Sequence, residues 1–238
     1  MQLVAYGAQD AFLTGNPEIT FFKVVYRRHT NFAMESIVQD FNGSKGSAAP
    51  RVTATISRNG DLITNCWLEG CAGGAAAIES VDLEIGGQRI DRHYGEWMQI
   101  WTELSCPSGK KNGKASLDEA DIVPLEFFFC RNPGLALPLI ALQYHEVKLT
   151  FQMKQATAGD YDNLNLYVDY IYLDTDERRR FAQVQHNMLI DQLQMQEGGS
   201  DTNTRLNFNH PCKELVWTTS ADAGKTTLKL NGHDRFSE

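Results

Sequence analysis

The sequence lacks the long apolar runs and the paired cysteines that define several large classes of protein. No uninterrupted apolar run approaches the roughly 18 residues that a membrane-spanning helix needs, and the N-terminus lacks the basic-then-apolar layout of a signal peptide. The five cysteines are odd in number, and no two of them have C-x-x-C spacing, so the sequence predicts neither a disulfide framework nor a zinc site. We expect the chain to fold in a reducing, intracellular compartment without inserting into a membrane.

The residue patterns of common active sites are also missing. The six histidines are scattered, without H-E-x-x-H or a pair at helical ligand spacing. Gly224-Lys225-Thr226 is similar to the end of a phosphate-binding loop, but Thr219 stands where that loop requires its first glycine. Spacing matches no nucleophile to a base and an orienting group. The sequence therefore predicts no catalytic residues, no cofactor and no metal, and we expect the protein not to be an enzyme.

An excess of acidic residues limits the partners of the chain. Thirty Asp and Glu against 22 Lys and Arg give a net charge of -8, which opposes adhesion to DNA or to an anionic membrane. Two basic clusters, Arg27-Arg28-His29 and Arg178 to Arg180, are too short for a nucleic-acid footprint. We expect no specific nucleic-acid binding. Solvated or locally paired arginines are the simpler interpretation of these clusters, and contacts with acidic partner subunits are the functional alternative.

Period-2 patterns of apolar residues dominate the middle of the chain. Such strands, each with one apolar face, predict two sheets packed face to face. Asn59-Gly60 predicts a hairpin turn between the first two strands, and Gly86-Gly87 predicts another between the third and fourth. The predicted strands are 51–57, 62–68, 81–85, 88–94, 147–152 and 164–172.

Two short helices and one long loop interrupt the strands. Residues 95–105 carry Trp97, Ile100, Trp101 and Leu104 at helical spacing. This stripe most simply docks the helix onto the sandwich, and a subunit interface is the alternative. A second helix is predicted over 176–183, with Thr175 as its N-cap. Residues 106–121 are polar and predict a long exposed loop.

Two further observations concern the ends of the chain. An apolar, aromatic run follows the turn Gly15-Asn16-Pro17 and must be buried, either in its own domain or in a neighbouring subunit. A loose repeat begins at His29 and again at His186, each copy leading through a Gly- and Ser-containing loop to a strand candidate, the second at 205–217. The repeat predicts two copies of one domain.

Long, ordered segments of the sequence resemble the major capsid protein family of nucleocytoplasmic large DNA viruses. The segments are 2–10, 13–32, 84–98, 178–194, 211–217 and 230–236. The resemblance implies an all-β fold, a jelly-roll β-sandwich with short helices in its loops, which is the first of a double jelly roll. It implies an N-terminal arm at 1–25, a first jelly roll at 26–177, a linker helix at 178–185, and the incomplete beginning of a second jelly roll at 186–238.

The resemblance further implies a structural role in an icosahedral virion capsid around a DNA genome. Chains would form homotrimers, which tile as pseudo-hexagonal capsomers with minor capsid and penton proteins, after assembly in the host cytoplasm and with an inner viral membrane permitted beneath the shell. A carbohydrate-binding, lectin-like jelly roll and a cupin-like enzyme are the alternatives. The candidate assembly contacts are Phe21, Phe22, Tyr26, Arg27, Arg28, Trp97, Trp101, Arg178, Arg179 and Arg180.

Overall fold

Antiparallel strands make up most of the regular structure. The computed structural model describes residues 29–46, 50–71, 73–105, 122–155, 161–198, 203–218 and 227–235. The strands are β1 (Phe32–Gln39), β2 (Phe41–Asn42), β3 (Arg51–Thr55), β4 (Leu62–Glu69), β5 (Ile78–Ile85), β6 (Gln88–Tyr94), β7 (Ile122–Pro124), β8 (Leu137–Pro138), β9 (Val147–Met153), β10 (Asn165–Leu173), β11 (Leu228–Leu230) and β12 (His233–Arg235). The helices are α1 (Gly95–Ser105) and α2 (Thr175–Gln183), with 3-10 turns at Gly74–Ala77 and Pro133–Leu135.

The first ten strands form two five-stranded sheets. The first sheet has the order β1-β10-β4-β7, with β8 also paired to β4, and the second has the order β2-β3-β9-β5-β6. Every neighbouring pair is antiparallel. Partners lie far apart in sequence: Phe32 of β1 stands opposite Leu173 of β10.

One hydrophobic core lies between the two sheets. The alternation seen in the sequence places Leu68 and Val168 of the first sheet and Leu149 and Phe151 of the second in this core, each 0% exposed. The hydroxyl of Tyr170, whose ring lies in this core, donates to the Ser57 carbonyl at 2.6 Å. The predicted sandwich is confirmed.

Only one of the two predicted hairpin turns is present. Gly86 and Gly87, with φ of 61° and 81°, join β5 to β6 as predicted. The predicted hairpin at Asn59-Gly60 is wrong, because β3 and β4 lie in different sheets. Ile56 donates its N–H to Val147 of the second sheet at 2.9 Å, whereas Asp61 donates to Ile171 of the first at 3.0 Å. The connection therefore crosses from one sheet to the other.

Both helices lie where the sequence predicts them, with two corrections. Helix α1 buries Gly95, Met98 and Thr102, so its most buried face lies beside the predicted stripe, of which Trp97, Ile100 and Trp101 are half-buried and Leu104 is exposed. A Cβ at Gly95 would collide with the carbonyl oxygens of Ala75 and Ile78, which shows how closely this other face approaches the sandwich. Helix α2 begins at Thr175 and is capped by Asp174, whose carboxylate accepts the Thr175 N–H at 2.7 Å; the predicted cap was one residue late.

The chain divides into two compact units, residues 1–193 and 194–238. Within the second unit, the Gln196 amide bonds to the Arg205 carbonyl at 2.6 Å and to the Asn207 N–H at 2.9 Å. The strand predicted at 205–217 is wrong, since none of these described residues lies in a strand. The backbone groups of Arg205 and Asn207 bond to the Gln196 side chain instead of to a neighbouring strand. The β11–β12 hairpin is the regular structure described in this unit. No helix among the described residues is long and apolar enough to cross a membrane.

Candidate assembly surfaces

The structure describes half of the predicted assembly contacts. Trp97, Trp101 and the three arginines of α2 lie within the described residues. The N-terminal candidates lie outside them, so their role stays a prediction. These are Phe21, Phe22, Tyr26, Arg27 and Arg28.

The aromatic face of α1 is half-buried and pairs with a cation. The rings of Trp97 and Trp101 lie 5.7 Å apart, and the Arg131 guanidinium lies 4.7 Å from the Trp101 ring centroid, within cation–π range. Arg131 in turn contacts the Asp191 carboxylate at 3.2 Å. Leu104, one turn further along the helix, is 62% exposed. The helix thus presents a partly covered aromatic surface to its surroundings.

Residues 184–193, the connecting segment, return from α2 to the edge strand β6. The Leu193 N–H donates to the Asp91 carboxylate at 3.1 Å, and the Gln192 amide donates to the Ile90 carbonyl. Met188 packs against the core. The same Asp91 oxygen accepts the Arg92 N–H at 2.8 Å, so one carboxylate fixes both β6 and the end of the connecting segment.

A group of ionisable side chains lies buried behind this contact. His93 Nε2 lies 2.9 Å from Asp91 Oδ2, and the His93 ring stacks on Phe127 at 4.5 Å. Burial raises the pKa of Glu126 nearby, an effect that the positive charge of Arg131 and the neighbouring His93 partly offset. The contacts of His93 with Asp91 and Phe127 hold the segment after β7 against β6.

The three arginines of α2 differ in their surroundings. The Arg178 guanidinium forms an ion pair with the Asp61 carboxylate, with Nε–Oδ1 at 2.9 Å and Nη2–Oδ2 at 3.0 Å. Asp61 also accepts the Leu173 N–H at 2.8 Å, so this pair fixes α2 to the entry of β4. Arg179 and Arg180 are exposed. Arg178 is therefore paired within the chain, whereas Arg179 and Arg180 are exposed and could contact a partner.

Strand β1 carries an apolar row that the sequence reasoning missed. Phe32, Met34 and Val38 point outward from the edge of the first sheet and are 67%, 52% and 46% exposed. Val38 stands opposite Tyr167, whose ring stacks on Trp67 at 5.5 Å, so the apolar row continues across the sheet. The period-2 spacing of Phe32, Met34 and Val38, interrupted by Ser36, was the available signal. No set of three or more His, Cys, Asp or Glu side chains in the described part of the chain could hold a metal ion.

Two family descriptions match consecutive parts of the sequence. Residues 20–174 match "Major capsid protein N-terminus", and residues 177–227 match "Large eukaryotic DNA virus major capsid protein". The first match alone covers more than half of the chain, and it spans β1 to β10. The order of the two matches agrees with the order of the resembling segments in the sequence.

Curated relatives and solved structures agree with these matches. The chain is 48% identical over 286 aligned residues to a major capsid protein of Pyramimonas orientalis virus, with 100% of this chain and 72% of the relative covered. It is 47% identical to that of Paramecium bursaria Chlorella virus 1, covering 91% of this chain and 59% of the relative. Capsid protein 1 of Acanthamoeba polyphaga mimivirus is 44% identical, with 92% and 48% covered.

One solved structure that matches is VP54 of PBCV-1, fitted into a cryo-EM reconstruction of the virophage Sputnik. The TM-score is 0.63 at 43% identity, over 74% of this chain and 50% of VP54. A quasi-atomic model of the PBCV-1 virus capsid gives 0.57 at 42% identity, with the same coverage. The jelly-roll fold expected from the sequence is confirmed. The chain spans about half the length of these structures, and between 48% and 72% of the relatives named above.

Proposed function

Because this chain belongs to the major capsid protein family of large eukaryotic DNA viruses, we propose that three copies of the complete protein form a capsomer of an icosahedral shell. The observation that carries the proposal is the pair of consecutive family matches, at 20–174 and 177–227. The role is mechanical: an antiparallel sandwich supplies rigidity while its loops are free to vary. No bond is made or broken, so the proposal assigns the protein no catalytic step.

We place the subunit contacts on surfaces whose burial by a partner would be favourable. Each exposed apolar side chain that a neighbouring copy covers contributes about 25 cal/mol per Å² of apolar area. The apolar row of β1 and the aromatic face of α1 are such surfaces. Arg179 and Arg180, exposed on a chain of net charge -8, suit acidic patches on neighbouring subunits. The N-terminal arm at 1–25 is proposed to contact neighbours or minor capsid proteins at the base of the shell.

The complete protein is proposed to carry a second jelly roll, so that a trimer presents six. The proposed division keeps the first jelly roll at 26–177, the linker helix at 178–185 and the second jelly roll from 186 onward. Assembly in the host cytoplasm, with penton and minor capsid proteins as partners, belongs to the same proposal. It fits the absence of paired cysteine spacing noted in the sequence.

Native mass spectrometry of the protein taken from virions tests this function. The denatured subunit mass is read alongside the native mass, so that subunit size and stoichiometry are measured independently. We expect a subunit near twice 26.7 kDa, assembled as a trimer. A 26.7 kDa subunit that remains monomeric at micromolar concentration would contradict the capsomer and favour a single-sandwich binding module.

A further inference from the structure

Two cysteines share a small cavity on the first sheet. The cavity has a volume of about 260 Å³ and is partly open to solvent, which is smaller than a typical ligand pocket of about 300–1,000 Å³. Cys66 of β4 is 1% exposed, and Cys130 is half-buried. The lining residues are Asn65, Cys66, Trp67, Ile122, Pro124, Leu125, Glu126, Cys130 and Asp169.

The backbone brings these two cysteines together from distant parts of the chain. Leu125 donates its N–H to the Cys66 carbonyl at 2.9 Å, which continues the pairing of β4 with β7. A turn then follows, closed by the Cys130 N–H donating to the Phe127 carbonyl at 2.9 Å. Cys130 packs against the same core that contains Cys66, and both cysteines line one cavity.

The other described cysteines lack this arrangement. The Cys71 thiol is buried and donates to the Gly74 carbonyl at 3.2 Å, and burial raises its pKa to about 11. Cys212 is exposed in the second compact unit, with its thiol 3.2 Å from the Glu214 carbonyl. Cys66 and Cys130, in contrast, both line one cavity.

We propose that Cys66 and Cys130 form a redox-convertible dithiol, which a low-molecular-weight disulfide such as glutathione disulfide oxidises to an intramolecular disulfide. Both cysteines line the same cavity of about 260 Å³, and an S–S bond of about 2.05 Å would join their side chains there. The bond would tie β4 to the turn after β7. The chemistry requires no second subunit, and so it does not depend on the assembly proposed above.

The reaction takes place in two exchanges. The Cys130 thiol, which the cavity exposes, loses its proton and attacks one sulfur of glutathione disulfide; a mixed disulfide forms and one glutathione thiolate leaves. The Cys66 thiol then loses its proton and attacks the Cys130 sulfur, releasing the second glutathione. Two protein thiols are oxidised, one glutathione disulfide is reduced, and the two protons end on two glutathione molecules.

The surroundings of each thiol assign these roles. The neighbouring Cys130 and burial raise the pKa of the Cys66 thiol well above its ordinary value, and Asp169 adds a smaller repulsion. A buried thiol of raised pKa is a poor first nucleophile, so attack begins at Cys130. Once Cys130 carries glutathione, Cys66 is the thiol next to it. Cys66 therefore resolves the mixed disulfide.

The test uses the full chain, reduced and then incubated with glutathione disulfide. Free thiols are blocked with N-ethylmaleimide, and the protein is digested without reductant for peptide mass spectrometry. We expect a linked pair of peptides containing Cys66 and Cys130, two hydrogens lighter than their sum, and two fewer maleimide adducts on these peptides. Lasting glutathione on Cys130, or two maleimide-blocked thiols after oxidation, would overturn the proposal.

Two matched variants test which cysteines form the disulfide. Cys71→Ala removes a buried cysteine that has no cysteine partner among the described residues, so the Cys66–Cys130 link should form as in the parent chain. Cys130→Ala should abolish the link and leave Cys66 reduced. Since the linked peptides are read directly from the parent chain, the outcome does not rest on whether a variant folds. A link from Cys66 to any other cysteine would also overturn the assignment.

Discussion

Glu126 couples the stability of the protein to pH through its burial. Burial raises the pKa of this carboxyl more than the charge of Arg131 and the neighbouring His93 lower it. A carboxyl with a raised folded-state pKa binds its proton more tightly in the folded protein than in the unfolded chain. Its stabilising contribution is complete below the ordinary pKa of 4.5 and is lost as the pH rises through the raised value.

Replacing Glu126 with Gln should therefore stabilise the protein at neutral pH. We expect Glu126→Gln to melt at a higher temperature than the parent chain at pH 7, because no charge is then desolvated. The difference should vanish below the ordinary pKa of 4.5. Circular dichroism melts across this range measure it, and Glu79→Gln, at an exposed position of β5, is the control. A pH-independent difference would contradict the assigned cause.

At the next scale, the ion pair between Arg178 and Asp61 fastens helix α2 to the sandwich. The Asp61 side chain is 10% exposed, so removal of Arg178 leaves a largely buried carboxylate that, among the described residues, keeps the hydrogen bond from the Leu173 N–H. Losing a hydrogen bond to a buried charged group costs about 1.5–3 kcal/mol. Half of the Arg178 side chain is exposed, which places the expected cost at the lower end of that range.

Arg178→Met should lower the melting temperature by roughly 3–6 °C, at about 2–4 °C per kcal/mol for a protein of this size. Arg180→Met, two positions along the same helix and exposed, is the matched control and should change stability by less than about 0.5 kcal/mol. Differential scanning calorimetry of both variants measures the difference. Equal melting temperatures for the two would show that the ion pair does not hold the helix.

These elements also show which structural features can be predicted from neighbouring residues alone. Gly86-Gly87 joins its two strands as the sequence predicts, because the positive φ of both residues is a property of the turn itself. Asn59-Gly60 has the same local chemistry but lies in a connection between two sheets, since β3 pairs with β2 and β9, whereas β4 pairs with β10, β7 and β8. The residues of a turn do not determine which strands pair when those strands lie far apart in the sequence. The Arg178–Asp61 pair, 117 residues apart, was unpredictable for the same reason.

At the scale of the whole molecule, the exposed apolar row of β1 allows the stability of the subunit and its assembly to be tested separately. Phe32 is 67% exposed, so Phe32→Asp should leave the melting temperature of the isolated subunit within the range of ordinary surface substitutions, about 0.5 kcal/mol. In the complete protein the same charge would be placed in a proposed subunit contact, where an unpaired desolvated charge is costly. We therefore expect the variant to lose the trimer.

Sedimentation velocity of the complete protein measures this, with Phe32→Leu as the control that keeps an apolar side chain. The leucine variant should sediment as the parent does, and the aspartate variant as a monomer with an unchanged melting temperature. A Phe32→Asp trimer of parental stability would remove β1 from the proposed contacts.

The position of β10 has a consequence for the making of the protein. It is the central partner of both β1 and β4, yet it is the last strand of the sandwich to leave the ribosome. At about 5–20 residues per second, synthesis takes roughly 7–28 s to pass from Phe32 to its partner Leu173. Throughout that interval β1 exists with its apolar row and without its hydrogen-bonding neighbour. The nascent chain therefore exposes the most apolar surface before β10 has been made.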